Sequence, residues 1–488
     1  MKSPKNLNLI DRLKFLFKDS IVYGGAASIN KFIALFTFPL LTRYFSVEEY
    51  GIIDAFTVLS TLLVTVLIFG QDSAVARYFY EFEDKKIKKD VITQSLTIQL
   101  VTIFAIIPFL AIYSSDLARM YVDSEVAEKI IIIILVQIPF GLLINFSGNI
   151  LKWTFEKYKF IFLKVGSTSS YLLSIAIGLY FFKMDIVSVF YFFLATQIIF
   201  GLFGIIFVRK WLSIKFSSGN YKKLLLYGLP YGVICILGAS LPAIDRYFIS
   251  KYLSSNDLGL YAAGYKIALI LNLPIQAFQT AWGPFYLSIH KEQNAEKTYN
   301  SILILYSIIF SFFALLLIIF SEKILILLSG IDYQEGSIVV YPLALAIIFR
   351  NLNSILGVGI DLSKKSYLKI YSYVIGLTTS IASIILTIEA LGILGVGISI
   401  LLGEISKSVV EAYLGSKVYN IKFNYYSMIV IFSLIILMIV SVFLIDKFLN
   451  ASMSTKVGLY ALILISPLLS KFVRNKISTI INIIINNL

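Results

Sequence analysis

The chain is 488 residues long, 58 % hydrophobic and only 14 % charged, with a mean hydropathy of +0.87. A soluble globular protein is nearer half apolar and a quarter charged, so most of this surface faces lipid, which excludes a soluble enzyme, a disordered chain and a secreted disulfide scaffold. One Cys and one His leave no intrachain disulfide and no histidine-based triad or metal site; the net charge of +14 reads as loop lysine and arginine, not a nucleic-acid surface, because no basic domain stands outside the apolar segments.

A membrane span needs about 20 mostly apolar residues. In chain order such runs fall near 21–43, 52–76, 91–114, 130–151, 160–182, 186–208, 224–248, 258–285, 301–320, 338–360, 367–388, 392–415, 425–446 and 456–473. The expectation is an all-α integral membrane protein of about 14 transmembrane helices. The basic stretch Lys2 to Lys18 precedes a full-length apolar run without a small-residue cleavage site, so no cleavable signal peptide is expected. Alternate connections are basic: Lys85, Lys86, Lys88 and Lys89; Lys152, Lys157 and Lys159; Arg209, Lys210, Lys215, Lys222 and Lys223; Lys364, Lys365 and Lys369; Lys471, Arg474 and Lys476. The others are acidic or near neutral, as with Asp116, Asp123, Glu125 and Glu128. Cytoplasmic loops hold the excess of Lys and Arg, so both termini are expected in the cytoplasm. No loop holds a nucleotide-binding domain or a Walker motif. Work against a gradient then draws on Na⁺, H⁺, the membrane potential or the substrate's own gradient, and no cofactor is expected.

The two halves repeat. Tyr23-Gly24 corresponds to Tyr227-Gly228, Arg43-Tyr44-Phe45 to Arg246-Tyr247-Phe248, Gly51 to Gly259, Gln71 to Gln279 and Tyr78 to Tyr286. Six spans separate the copies, so the repeat is parallel, with six-helix bundles over 1–208 and 209–416 around a central cavity and two further spans over 417–488. Parallel repeats of this kind occur in transporters that rock about a central cavity.

The run Phe38-Pro39-Leu40-Leu41-Thr42-Arg43-Tyr44-Phe45-Ser46-Val47-Glu48-Glu49-Tyr50-Gly51, with Lys31 before it, resembles the first hairpin of bacterial polysaccharide-biosynthesis membrane proteins, the O-antigen and capsule repeat-unit flippases. Leu229-Pro230, Asp245-Arg246-Tyr247-Phe248 and Leu258 to Lys266 resemble their seventh and eighth spans. That group shares the MOP superfamily with the multidrug and toxin extrusion (MATE) transporters and the lipid II flippases. The resemblance implies no catalytic residue. It implies movement of an undecaprenyl-diphosphate-linked oligosaccharide from the cytoplasmic to the outer leaflet of the bacterial plasma (inner) membrane, with membrane lipids and the polysaccharide polymerase machinery as partners.

An ionisable group deep in a span is costly and normally faces a cavity or a partner. Lys31, roughly 15 Å into span one at 1.5 Å per residue, Lys266 in span eight and Arg350 in span ten suit a diphosphate, Arg by bidentate contact and Lys as a point charge. Intramembrane pairing or snorkelling is the plainer reading of each. Neither lysine recurs in the other half, which favours a cavity role; flippase relatives also carry cations in the first and eighth spans. Glu404, Lys407 and Glu411 share one helical face and are expected to neutralise one another, with a coupling-ion site as the alternative. Asp245 and Arg246 at the end of span seven read as an interfacial anchor or a gate. Asp72 and Asp361 read as solvated helix ends or as Na⁺ or H⁺ sites. Lys164 lies close enough to the inner face to snorkel. Gly392, Gly395, Gly397 and Gly403 read as small-residue packing, and Cys235 and His290 as incidental. A MATE-like exporter of organic cations is the main alternative, and would want a cavity dominated by carboxylates. A glycosyl polymerase would need a large outer loop, and a purely structural partner would leave the deep cations unexplained.

Overall fold

The computed structural model describes residues 35–213 and 219–448 continuously, with a few residues between 25 and 33 and between 458 and 462. Among these residues there is no strand. A first helix, α1, is described over 35–44. It is followed by α2 (Val47–Ile68), α3 (Gln71–Glu81), α4 (Lys85–Ile112), α5 (Ser114–Tyr121), α6 (Ala127–Trp153), α7 (Lys157–Phe181), α8 (Ile186–Val208) and α9 (Tyr221–Tyr252). Then come α10 (Ser255–Ala268), α11 (Asn272–Ile289), α12 (Ala295–Ser329), α13 (Val340–Leu356), α14 (Val358–Leu362), α15 (Leu368–Val418) and α16 (Tyr425–Phe448).

Among the described residues, eleven stretches are long and apolar enough to cross a membrane. One of them, α15, runs for 51 residues and folds back at Gly392, whose φ of 56° and ψ of −138° suit glycine. A straight helix of that length would reach about 75 Å, more than twice the hydrocarbon thickness. Its two arms pack antiparallel: Thr387 Oγ1 reaches the Gly395 carbonyl oxygen at 3.1 Å, and Gly376 and Gly403 bring the backbones together. Spans two to thirteen are thereby accounted for. Span one is described only in part and span fourteen lies largely outside the described residues, so the count of fourteen is not fixed.

Two single spans of the sequence reading are broken helices. Span two splits into α2 and α3 at Phe69 and Gly70, both left-handed (φ 45° and 69°). A Cβ on Gly70 would collide with the backbone of Gly228 and Gly232, so the break is held by α9. Span eight passes from α10 to α11 through a single 3₁₀ turn at Leu269–Leu271. Pro274 follows, and its ring clashes with the carbonyl four residues back while supplying no N–H.

The duplication is visible in local geometry. Ser46 and Glu49 cap α2 reciprocally, at 3.2 and 2.9 Å, and Ser254 and Asp257 make the same box before α10, both bonds at 3.1 Å. The turn from α6 to α7 carries Phe155 at φ 58°, with its N–H on the Lys152 carbonyl and that of Glu156 on Leu151. The turn after α14 carries Lys364 at φ 58°, with its N–H on the Asp361 carbonyl and that of Lys365 on Ile360.

Packing divides the chain into two compact units, Met1–Gly259 and Leu260–Leu488. The boundary lies beyond the one expected from the repeat at 208/209, because α9 packs along α2 and α3 within the first unit. Duplication and packing thus divide the chain at different places. Within unit 1 the most extensive pairing is α6 on α8, and within unit 2 it is α13 on α15.

Candidate functional site

In unit 2 the second arm of α15 presents Glu404, Lys407 and Glu411 at i, i+3 and i+7, one face of the helix. Arg350 of α13 donates through Nε to Glu404 Oε1 at 2.6 Å and through Nη1 to the Tyr265 hydroxyl at 3.4 Å. Glu404 Oε2 lies 3.3 Å from Lys407 Nζ, which stands 4.0 Å from the centre of the Tyr373 ring. Further along, Lys369 Nζ lies 3.9 Å from Glu411 Oε1 and 2.7 Å from Asp361 Oδ1. Six groups therefore form a ladder of alternating charge: Arg350, Glu404, Lys407, Glu411, Lys369, Asp361. The three inner side chains are 3–8 % exposed, while Arg350 is 30 %, Lys369 21 % and Asp361 28 % exposed. Charges at this depth persist only when paired, and three cations here meet three anions. Glycines make room: a Cβ on Gly357 would collide with the Glu411 carboxylate, and one on Gly376 would lie 2.9 Å from Lys407 Cβ.

Unit 1 holds a second ion pair, fully buried. Arg246 donates to Asp54 Oδ2 from Nε at 3.2 Å and Nη2 at 3.0 Å, and its Nη1 lies 3.7 Å from Asp245 Oδ2. Both side chains of the Arg246–Asp54 pair are at most 1 % exposed. Arg246 therefore pins α9 to α2 inside the protein. It is not an anchor at the water interface. Asp54 carries no spacing signal in the sequence; its one legible trait is a lone carboxylate early in a span.

Asp72 sits at the start of α3, half-buried, and accepts 2.8 Å from Asn145 Nδ2 of α6, with Asn149 one turn further on. Lys164 of α7 lies over Gly148, where a Cβ would stand 3.3 Å from its Nζ. Along the same stripe of α6, Gln137 Nε2 reaches Ser60 Oγ at 3.1 Å and Gly141 faces the Gln197 carboxamide.

Outside the spans, Glu156 joins the ends of α6, α7 and α8 by accepting Lys159 at 2.7 Å and Lys210 at 2.8 Å. Burial alone would raise its carboxyl, but the two ammonium groups outweigh that and hold it below the ordinary carboxylate value.

The sequence-derived candidates are thus distributed over both units. Arg350, Glu404, Lys407 and Asp361 belong to one network, completed by Lys369 and Tyr265. Arg246 and Asp245 belong to the Asp54 cluster, and Asp72 to the polar stripe of α6. Lys266 is half-buried in the last turn of α10, next to Tyr265. Lys31 lies outside the described residues. Among the described residues no group of three His, Cys, Asp or Glu is arranged to hold a metal ion.

Helical spans with internally compensated charges define a multi-pass membrane protein. The fold agrees. It superimposes on the lipid II flippase MurJ in an inward closed conformation with a TM-score of 0.72 at 16 % identity, covering 91 % of this chain and 97 % of that one. An inward-facing MATE multidrug transporter of the MOP superfamily gives 0.57 at 18 %, covering 82 % and 94 %. A MOP transporter from Pyrococcus furiosus, described as having a binding pocket of reverse polarity, gives 0.60 at 18 %, again covering 82 % and 94 %.

The chain belongs to the polysaccharide biosynthesis protein family, whose model matches residues 16–290, more than half of its length. Similar proteins include Lsg locus putative protein 1 of Haemophilus influenzae, 25 % identical over 285 residues (57 % of this chain, 67 % of the relative). An uncharacterised membrane protein of the same species is 26 % identical over 275 residues, covering 55 % of this chain and 65 %, just under two thirds, of the relative. The family is that of polysaccharide biosynthesis proteins, and the fold is one shared with a solved lipid II flippase and solved MATE transporters.

Proposed function

We propose that this protein is a flippase that carries a polyprenyl-diphosphate-linked oligosaccharide from the cytoplasmic to the outer leaflet of a bacterial plasma membrane by alternating access, for surface polysaccharide assembly. The observation that carries this reading is a polysaccharide-biosynthesis sequence on the fold of a lipid II flippase. The basic alternate loops favour cytoplasmic termini. Lys31, Lys266 and Arg350 are the groups we assign to the diphosphate. Arg350 suits the task because its partner Glu404 is shared with Lys407. An arriving diphosphate can take the guanidinium while Glu404 keeps one cation, so neither carboxylate nor cation is left bare. Coupling to Na⁺, H⁺ or the membrane potential, gating by the Asp54–Arg246–Asp245 cluster, and docking to a polymerase belong to the same proposal. Export of organic cations is the weaker reading, because the accessible end of the ladder in the bilayer interior is a guanidinium.

The test is leaflet-resolved transport of a diphosphate-polyprenyl oligosaccharide in proteoliposomes, with Lys31→Ala, Lys266→Ala and Arg350→Gln at matched protein levels. Transport by wild type and its loss in the variants is the expected result. Transport by all four proteins keeps the function and removes the sites. Transport of fluorescent organic cations with none of the lipid-linked sugar overturns the reading.

A further inference from the structure

Lys164 differs from the other span-embedded lysines of known geometry. Lys369 has Asp361 at 2.7 Å and Lys407 has Glu404 at 3.3 Å. Lys164 makes no hydrogen bond or ion pair among the described residues, and its one charged neighbour there is Asp72, whose Oδ2 is taken by Asn145. Polar groups without partners accompany it. Gln71, at the head of α3 next to Asp72, is 0 % exposed with both carboxamide atoms unpartnered; the Oε1 atoms of Gln137 and Gln197 are also buried and unpartnered.

These groups follow a stripe of α6. Gln137, Gly141, Asn145 and Asn149 recur at four-residue intervals, facing Ser60 of α2, Asp72 of α3, Lys164 of α7 and Gln197 of α8. Asp72, Asn145, Asn149, Lys164 and Gln197 are all half-buried, not sealed. A polar stripe inside a bundle of spans is costly unless its donors and acceptors are satisfied. What it offers is mixed: an acceptor in Asp72, a three-hydrogen donor in Lys164, and carboxamides that do both. A saccharide matches that set, because each hydroxyl both donates and accepts. A metal ion does not, with an ammonium in the site, and neither does a bare phosphate, with a carboxylate in it.

We propose that unit 1 contains a saccharide-binding groove between α3, α6 and α7, in which Asp72, Asn145 and Asn149 read sugar hydroxyls and Lys164 donates to a sugar oxygen. The groove deepens the flippase reading, since it names the place where the glycan of the cargo is held, and it rests on that reading for its physiological role. Gly148 leaves the lysine its room, and Gly141 keeps the stripe open beside Gln197.

The test uses the full-length protein in nanodiscs and the repeat-unit oligosaccharide released from the host strain's own surface polysaccharide. Saturable binding is followed by saturation-transfer NMR and titration. Wild type is expected to bind, and Asp72→Asn, Lys164→Met and Asn149→Ala each to weaken binding about tenfold, the scale of one hydrogen bond to a charged group. Glu322→Gln, an exposed residue of unit 2, is expected to bind as wild type does. Each variant is compared with wild type by monodisperse elution, and Lys164→Arg, which keeps the charge and donors, is expected to retain binding. Loss with Lys164→Met but equal loss with Glu322→Gln overturns the groove. So does binding unchanged by all unit 1 variants, which would make Lys164 a snorkelling side chain only, and so does no binding by wild type. The same preparations are assayed for transport: transport without binding in the groove leaves the flippase standing and removes the inference, whereas absence of both removes both.

Discussion

Arg246 answers to two carboxylates in a space that excludes water, and the asymmetry sets what substitution does. Removing the guanidinium leaves Asp54 and Asp245 buried side by side; removing the Asp54 charge leaves Arg246 with Asp245 at 3.7 Å. Breaking a buried pair by deleting one partner costs about 3–5 kcal/mol, and loss of a hydrogen bond to a charged group about 1.5–3 kcal/mol. Arg246→Leu is therefore expected to destabilise the protein more than Asp54→Asn, by unfolding midpoints in detergent; equal losses would show that Asp245 is not a partner. Of this cluster only Arg246, as part of a repeated motif, and its neighbour Asp245 were legible in the sequence. Asp54 was not, because a partnership across 192 residues leaves no local pattern. Glu404 and Lys407, by contrast, were legible as a pair from helical spacing alone. Glu156 titrates in the aqueous loops. Held below its ordinary value by Lys159 and Lys210, it contributes stability that is full above the ordinary carboxylate range and is lost as pH falls through its lowered value. The melting difference between wild type and Glu156→Gln is expected to be present at neutral pH and to vanish in acid.

Elements follow where glycine lets backbones meet. Gly51 of α2 and Gly259 of α10 are related by the repeat and lie against each other: a Cβ on Gly51 would stand 2.6 Å from the Gly259 nitrogen. Gly51→Ala is expected to cost about 1–3 kcal/mol by overpacking. Gly392→Ala meets nothing in space but must hold φ at 56°, and is expected to cost about 1–3 kcal/mol by backbone strain. Thermal midpoints in detergent check both; a neutral Gly392→Ala would mean that the hairpin turns elsewhere. The existence of the spans was plain from hydropathy. Their breaks were not: Phe69 gives no hint of a left-handed conformation, which comes from the approach of α9 at Gly228 and Gly232.

For the whole molecule, the repeat was the most informative sequence feature, and the caps the structure shows at Ser46 and Ser254 match across it. It could not predict that α9, the first helix of the second copy, packs with the first copy, since packing partners are set by surfaces and not by ancestry. Orientation is testable directly. In a Cys235→Ser background, cysteines at Lys86 and Lys364 are expected to react with a membrane-impermeant maleimide only from the cytoplasmic side, and cysteines at Ser124 and Ser255 only from outside. Reversal at Lys364 and Ser255 alone would mean a miscounted span between the halves.

The charge ladder also bears on how the chain is made. Arg350 leaves the ribosome 54 residues before Glu404, about 3–10 s earlier at about 5–20 residues per second. During that interval an arginine whose insertion costs about 2.5–3.5 kcal/mol has no counter-ion. The α13 segment is therefore expected to be held at the translocon or the interface until the second arm of α15 arrives, delaying the spans between them as one group. Glu404→Ala is accordingly expected to appear first in pulse-chase as rapid proteolysis of newly made chains, before any defect in the assembled protein; normal maturation would show that Arg350 finds shelter without Glu404. A feature that balances charge in the finished protein thus acts as a clock on its birth.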